Sequence, residues 1–446
     1  MKVAVVGGGI GGLVAARALV AAGHDAHVLD AGVRPGGVIG TSTIDGYVRE
    51  HAASSFLGGP ALGALALCHE LGVPVERASA RAKRRWIFID GSLRALPNSP
   101  VELVRSDLLT WRGKLALLRE PFAPPRPHGE DESVHAFAAR RFGAEAARSI
   151  FAPFVTGVYA ADAHDISVDA GFPMLAELDA AGGVVRGMVK KQVGSLIARV
   201  RGQAAASTPR GLWAPQGGLG ALIAALEGTL AGRIRSGVTV STVEPVAHGV
   251  LVDGERWDGA VLAVPAVHAI ELVRGAVPEL AVKLGAFRRA PAALVYLGLP
   301  RGAVPRADEG FGMLVARGED LRMLGVVFES TVWSQRAPDG NVLLRCIFAG
   351  GRDPEAAALT DAELVAIARR DIERALGATA APTHASVIRW PHGIAQYAVG
   401  HRDRVRAAVA VARRARIALA GADYRGPGVN DLCADGANIV DELAAW

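Results

Sequence analysis

The stretch Lys2-Val3-Ala4-Val5-Val6-Gly7-Gly8-Gly9-Ile10-Gly11-Gly12 decides the fold. Lys2 to Val6 reads as a buried strand. The glycines after it supply G-x-G-x-x-G at Gly7, Gly9 and Gly12. Leu13 to Ala22 follows as an Ala/Leu/Val helix that Gly23 closes, and Ala26 to Leu29 is a second strand ending at Asp30. Strand, glycine turn, helix, strand and an acidic residue about 20 positions on form a dinucleotide-binding βαβ unit. Each part has a physical reason. Gly7 makes the tight turn, Gly9 lets the backbone approach a pyrophosphate, and Gly12 permits close helix–strand packing. The helix start offers free N–H groups and partial positive charge to the phosphates. Gly8, Ile10 and Gly11 complete that cradle, and Asp30 is placed to accept hydrogen bonds from a ribose.

Composition bounds the rest. The chain has 446 residues, enough for two or three domains, and half of them are hydrophobic. With 54 glycines and 5% aromatics it reads as a Gly- and Ala-rich α/β protein. A net charge of +5 permits an acidic substrate or an anionic surface without demanding either. Nothing in the pattern points to nucleic acid. Cys68, Cys346 and Cys433 are scattered, which argues against a disulfide framework or zinc site and fits a reducing cytoplasm. No apolar run is long enough to span a membrane.

Arg34-Pro35-Gly36-Gly37-Val38 lies just past Asp30 and suggests a second close backbone approach to the same cofactor. At the other end, Ile417 to Ala420 reads as a strand. Gly421-Ala422-Asp423-Tyr424-Arg425-Gly426-Pro427-Gly428 follows, then a final helix from Val429 to Leu443. A glycine turn and helix start there suit an isoalloxazine ring, whose reduced form is anionic near N1 and O2. An ordinary terminal βα unit fits equally well.

Lys83-Arg84-Arg85-Trp86-Ile87-Phe88-Ile89, then Asp90-Gly91, reads as a β-hairpin. Its cations are either a solvated strand entry or an anion-reading arm. Ser133 caps a helix, and Arg186 to Arg201, with Lys190, Lys191, Arg199 and Arg201, is a basic amphipathic stretch. Such a stretch is a solvated helix face or a contact with anionic lipid. His164, His392 and His401 stand apart in sequence, and no Ser/His/Asp, HExxH or metal-ligand pattern occurs. No general base is nominated.

These pieces, in order, resemble the FAD-dependent amine oxidase and protoporphyrinogen oxidase superfamily. The resemblance narrows to oxygen-dependent protoporphyrinogen oxidase through Lys83-Arg84-Arg85-Trp86, Phe154-Val155-Thr156-Gly157-Val158-Tyr159-Ala160, Phe172-Pro173-Met174-Leu175 and Gly310-Phe311-Gly312-Met313-Leu314-Val315. Arg389-Trp390-Pro391, Gln396-Tyr397 and Gly428-Val429-Asn430-Asp431 extend it. It implies an α/β fold of the p-hydroxybenzoate hydroxylase-like flavoprotein type. A discontinuous Rossmann-like FAD-binding domain is expected at 1–80, 212–268 and 400–446. A mixed-sheet substrate domain is expected at 81–98 and 269–399, and a helical, membrane-associating domain at 99–211. It further implies oxidation of protoporphyrinogen IX to protoporphyrin IX, late in heme biosynthesis, with three O2 giving three H2O2 and hydride passing to flavin N5. FAD contacts are expected at the glycines and Ile10 above, Asp30, Arg34, Gly37, Val38, Ala52, Ala53, Ser54, Ser55, Val240, Ala422, Pro427, Gly428 and Val429. Substrate contacts are expected at Arg85, Gly157, Phe311, Leu314 and Phe348, with Arg85 pairing to a propionate. Peripheral contact with the inner-membrane surface and a homodimer are compatible partners.

Strict alternation would send Phe311 and Leu314 to opposite faces of a strand; a bend at Gly312 would reconcile them. Two positions depart from the family pattern. Asp30 stands where Glu is common, and Ala52-Ala53 stands where Gly-Pro is usual. Cβ atoms at 52 and 53 are expected to crowd the flavin. The alternatives are a coproporphyrinogen III oxidase, a flavin amine oxidase and a non-catalytic flavin or porphyrin carrier. The amine oxidase is disfavoured because no Lys follows Lys283.

Overall fold

The computed structural model describes residues 1–59, 63–97, 100–127, 129–190, 193, 211–350 and 352–446. A five-stranded parallel sheet runs in the order Ile234–Ser236, Asp25–Asp30, Lys2–Val6, Gly259–Leu262, Ile417–Leu419. Three distant parts of the sequence therefore build one layer. Val3 and Val5 pack with the helix Ile10–Ala21, while Ala4 and Val6 pack on the opposite face with Trp257, Leu272 and Ile417. Burial on both faces explains why the first strand is apolar without alternation.

The second layer is a seven-stranded mixed sheet. Its order is His384–Gln396, Arg288–Pro300, Asn341–Ala349, Gly325–Phe328, Gly312–Val315, Arg85–Ile89, Ser92–Ala95. All neighbours are antiparallel except Gly312–Val315 with Arg85–Ile89, which are parallel. The hairpin at Asp90-Gly91 forms as expected. Both turn residues take positive φ, 51° and 67°, the turn that matches strand twist. Glu319 accepts both turn N–H groups, at 2.7 and 3.1 Å. Pro391 is accommodated at a register shift opposite Ala290 and Ala292, where its missing N–H costs no ladder bond.

Helices from Pro100–Arg105 to Pro173–Ala180 lie between the first and second passages through these layers. Ser133 caps Val134–Phe142 by accepting from Ala136 N–H. The final helix is not continuous from 429 to 443. It breaks into Val429–Ala434 and Gly436–Ala444 at Asp435, whose carboxylate pairs with Arg425 instead of leaving the helix to run on. Of the basic stretch 186–201, residues 191–192 and 194–201 lie outside the described residues.

Candidate active site

The N-terminal glycines are fixed by contacts that a methyl group would break. A Cβ on Gly12 would sit 1.9 Å from Gly7 O, and one on Gly8 would sit 2.0 Å from Asp30 Oδ2. A Cβ on Gly9 would meet nothing within 4 Å, so that turn faces open space. The helix behind it, Ile10–Ala21, has no side-chain cap and no acidic residue in its first turn. Open space in front of uncapped N–H groups fits a pyrophosphate. Asp30 uses Oδ1 to accept from Gly32 N–H at 2.7 Å, and its Oδ2 lies over Gly8. Val240 is buried near the end of that strand, where Val238 N–H reaches Asp30 O at 2.9 Å.

The second glycine pair packs on the first. Gly9 and Gly36 form a parallel bridge, and a Cβ on Gly37 would lie 3.2 Å from Gly9 Cα. Val38 packs at the margin of the apolar core behind the helix. Arg34 folds back and donates to Pro35 O, Ile39 O and His51 Nδ1, the last at 2.9 Å. His51 Nδ1 must then be unprotonated, and Nε2 faces Ser42 Oγ at 3.1 Å. Burial, with Arg34 and Arg49 nearby, lowers the His51 pKa and agrees with that neutral ring.

The C-terminal turn meets the N-terminal one. A Cβ on Gly11 would lie 3.2 Å from Gly421 Cα. Ala422 O accepts from Tyr397 OH at 2.7 Å, and Gly426 N–H donates to the same hydroxyl at 2.9 Å. Gly428 N–H is taken by Asp431 Oδ2 at 3.0 Å. Pro427 is exposed and Val429 is buried in the core with Ile10. Between the two turns runs 51–57. One end is tied to Gly40, just past the second glycine pair, by His51 N–H to Gly40 O, and the other to the helix after the C-terminal turn by Asn430 Nδ2–H to Leu57 O, both at 2.7 Å. Ala52, Ala53, Ser54 and Ser55 therefore line the path joining the two glycine turns. Ala53 packs against the core of the parallel-sheet layer.

The sequence-predicted substrate residues divide. Leu314 and Gly157 meet: a Cβ on Gly157 would lie 2.5 Å from Leu314 Cδ2. Arg85 stands over the Phe311 ring, guanidinium carbon to centroid 5.6 Å. Phe311 reaches the same side as Leu314 because it precedes the strand and packs with Val327 and Ile347. Gly312 allows this at φ 156°, where a Cβ would lie 2.1 Å from Val326 O. Phe348 is a correction. It is fully buried with Phe88, Val326, Phe328 and Cys346 on the opposite face of the sheet. Strand alternation puts Ile347 and Arg345, not Phe348, on the side of Leu314.

Sequence reasoning missed Tyr296 and Arg345, and gave Trp390 no role beyond its place in the family motif. Tyr296 OH donates to Glu50 O at 2.5 Å, Trp390 Nε1 to His51 O at 2.7 Å and Arg345 Nη1 to Ala52 O at 2.6 Å. Arg345 Nη2 also donates to Ser54 Oγ at 2.9 Å, and its Nε pairs with buried Glu329 at 2.9 Å. Burial opposes the Arg345 charge, but Glu329, Tyr296 and Glu50 more than offset it and raise its pKa. Burial also raises the Glu50 pKa, against the pull of Arg336 at 2.8 Å and Thr41. The sequence signal was an arginine and a tyrosine inside otherwise apolar strands, LLRCIF and LVYLGL.

A cavity of about 1180 Å³ opens beside Arg85, with Leu57, Arg77, Lys83, Arg105 and Leu212 on its walls. Gly157 and Leu314 are not part of that lining, so the cavity lies on the Arg85 side of their contact.

The model of the family described as flavin containing amine oxidoreductase matches residues 10–433. A chloroplastic protoporphyrinogen oxidase of Oryza sativa subsp. japonica is 30% identical over 435 residues, covering 91% of this chain and 80% of that protein. A coproporphyrinogen III oxidase of Mycobacterium leprae is 30% identical over 467 residues, covering 99% and 98%. A crystal structure from Exiguobacterium sp. 255-15, provisionally assigned as a protoporphyrinogen oxidase, superposes with TM-score 0.82 at 23% identity. It covers 100% of this chain and 99% of that one.

Proposed function

The chain belongs to the flavin containing amine oxidoreductase family, and from that premise we propose that it oxidises a porphyrinogen to a porphyrin in heme biosynthesis. Its cofactor is FAD, and the residues present fit it. The open turn at Gly9 and the uncapped helix start would hold the pyrophosphate, Asp30 the ribose, and 51–57 with the turn 421–428 the ring. FAD supplies the electron acceptor for breaking the substrate's C–H and N–H bonds. The chain supplies binding, orientation and exclusion of water.

Protoporphyrinogen IX, with O2 as terminal acceptor and three H2O2 released, is the leading substrate reading. The observation that carries it is Arg85 beside Phe311, on the sheet face that also bears Leu314 against Gly157. A guanidinium can bind a propionate bidentately while the aromatic and aliphatic groups take the macrocycle. Coproporphyrinogen III is the second reading, favoured by Arg77, Lys83 and Arg105 around the same cavity, since four propionates call for more cations.

The test is aerobic turnover of each porphyrinogen followed by porphyrin fluorescence. Hydrogen bonds to charged groups are worth about 1.5–3 kcal/mol. Arg85→Ala should therefore raise KM by one to two decades, on the order of that energy, with FAD content unchanged. No acceleration with either substrate rejects the function, and preference for the four-propionate substrate selects the second reading.

Peripheral contact with an anionic membrane from the cytoplasmic side belongs to the same proposal. On the helix Trp111–Leu118, Trp111, Leu115 and Leu118 are exposed along one face, and exposed Phe122 follows. An apolar stripe of that kind suits the lipid boundary. Leu118→Asp should reduce co-sedimentation with anionic vesicles several-fold; equal sedimentation of the variant and the parent protein refutes the contact.

A further inference from the structure

Three successive backbone carbonyls, of Glu50, His51 and Ala52, each accept a hydrogen bond from a side chain of the seven-stranded sheet. The donors come from three adjacent strands. Trp390 lies in His384–Gln396, Tyr296 in Arg288–Pro300 and Arg345 in Asn341–Ala349. Those strands otherwise belong to the layer that carries Arg85, Leu314 and Phe311. The gripped residues are the last of the strand Tyr47–Glu50 and the first two of the segment 51–57, whose ends are tied to Gly40 and Asn430 and whose Ala53 packs on the parallel-sheet core. The grip therefore spans the cofactor layer and the substrate layer.

We propose that Tyr296, Trp390 and Arg345 are positioning residues: together they fix the distance and tilt between the FAD ring and the sheet that holds the substrate. The donor geometry supports this role over simple packing. The chain bends at His51 and Ala52, which lets three consecutive carbonyls be reached from one sheet, and three donors from one rigid sheet hold the segment against translation and rotation together. Arg345 adds a fourth bond, to Ser54 Oγ, and is itself held by Glu329. Tyr296 is fully buried, and Arg345 and Glu329 nearly so, which removes competing water. A buried hydrogen bond from a rigid element localises its acceptor far better than a solvated one. Transfer from substrate to ring depends steeply on this placement, since a misplacement of about 1 Å can cost a hundredfold in rate.

The inference rests on the family's FAD and on the porphyrinogen reading only for its turnover arm. Tyr296→Phe and Trp390→Phe each remove one donor and keep an aromatic ring. Both should bind one FAD per chain and stay folded, with the unfolding midpoint lowered by no more than the loss of one hydrogen bond. The visible circular dichroism of the bound flavin should change, the rate of anaerobic flavin reduction by porphyrinogen should fall about tenfold, and KM should stay within twofold. The double variant should fall further than either single one. Wild-type dichroism and reduction rate in both single variants would overturn the proposal. Arg345→Met strands Glu329 and risks misfolding, so the two neutral variants decide. Altered dichroism in a protein whose parent form oxidises neither porphyrinogen would support the clamp and reject the substrate reading.

Discussion

On one face of the seven-stranded sheet, Phe88, Val295, Val326, Leu344, Cys346 and Phe348 close against the helix Asp361–Leu376, whose one buried carboxylate, Asp371, is taken by the Arg322 and Met323 N–H groups. On the other, the same strands present Arg85, Leu314, Tyr296 and Arg345 toward the cofactor layer and the helices. Both faces are largely buried, but they are held by different physics. The first is stabilised by burying apolar area, which tolerates any well-packed hydrocarbon. The second is held by directed hydrogen bonds and by buried ion pairs, Arg345 with Glu329 and Arg336 with Glu50, which specify an arrangement more than they stabilise it. A sheet can therefore carry stability on one side and geometry on the other, with strand alternation keeping the two apart.

That division can be broken by substitution. The largest effect is expected for Phe348→Ala, which empties a fully buried site and should cost about 3–5 kcal/mol of stability. Denaturant unfolding would read it, and at a temperature where the variant is folded KM for porphyrinogen should not change. A raised KM there would show that the two faces are not separable. Gly157→Ala should do the converse. Its Cβ would press on Leu314 Cδ2, the end of a flexible side chain, so the unfolding midpoint should barely move while KM rises several-fold. Leu314→Ala in the same chain should restore part of the loss. Absence of any KM change in Gly157→Ala would remove Leu314 from the substrate surface.

The sequence made the apolar half of this comparison and the glycine turns easy to read. Gly12 lacks a side chain for a local reason, the carbonyl of Gly7, and Gly8 for one within the same βαβ unit, the Asp30 carboxylate. The Asp90-Gly91 turn and the Ser133 cap are local in the same way. Phe348 was misassigned because a Phe in an apolar strand looks the same whichever face it takes, and the face depends on register with Ala293. Tyr296 and Arg345 were missed, and Trp390 was left without a role, because their acceptors lie 246, 293 and 339 positions away. No periodicity reports such a partner. The break at Asp435 was hidden because Arg425, the partner that favours it, sits in the preceding turn. The concern over Ala52-Ala53 also changes. Proline would have stiffened that segment from within, whereas here three side chains stiffen it from outside.

The contact of Gly11 with Gly421 has a consequence for how the protein is made. The turn at Gly7 to Gly12 is made about 400 residues before the turn 421–428 that packs on it. The central strands wait for Ile417–Leu419 to extend their sheet. Until then a nascent chain exposes apolar strand edges. The sheet is accordingly complete only when its distant strands have met, and a ligand that binds the assembled layer would stabilise it by mass action.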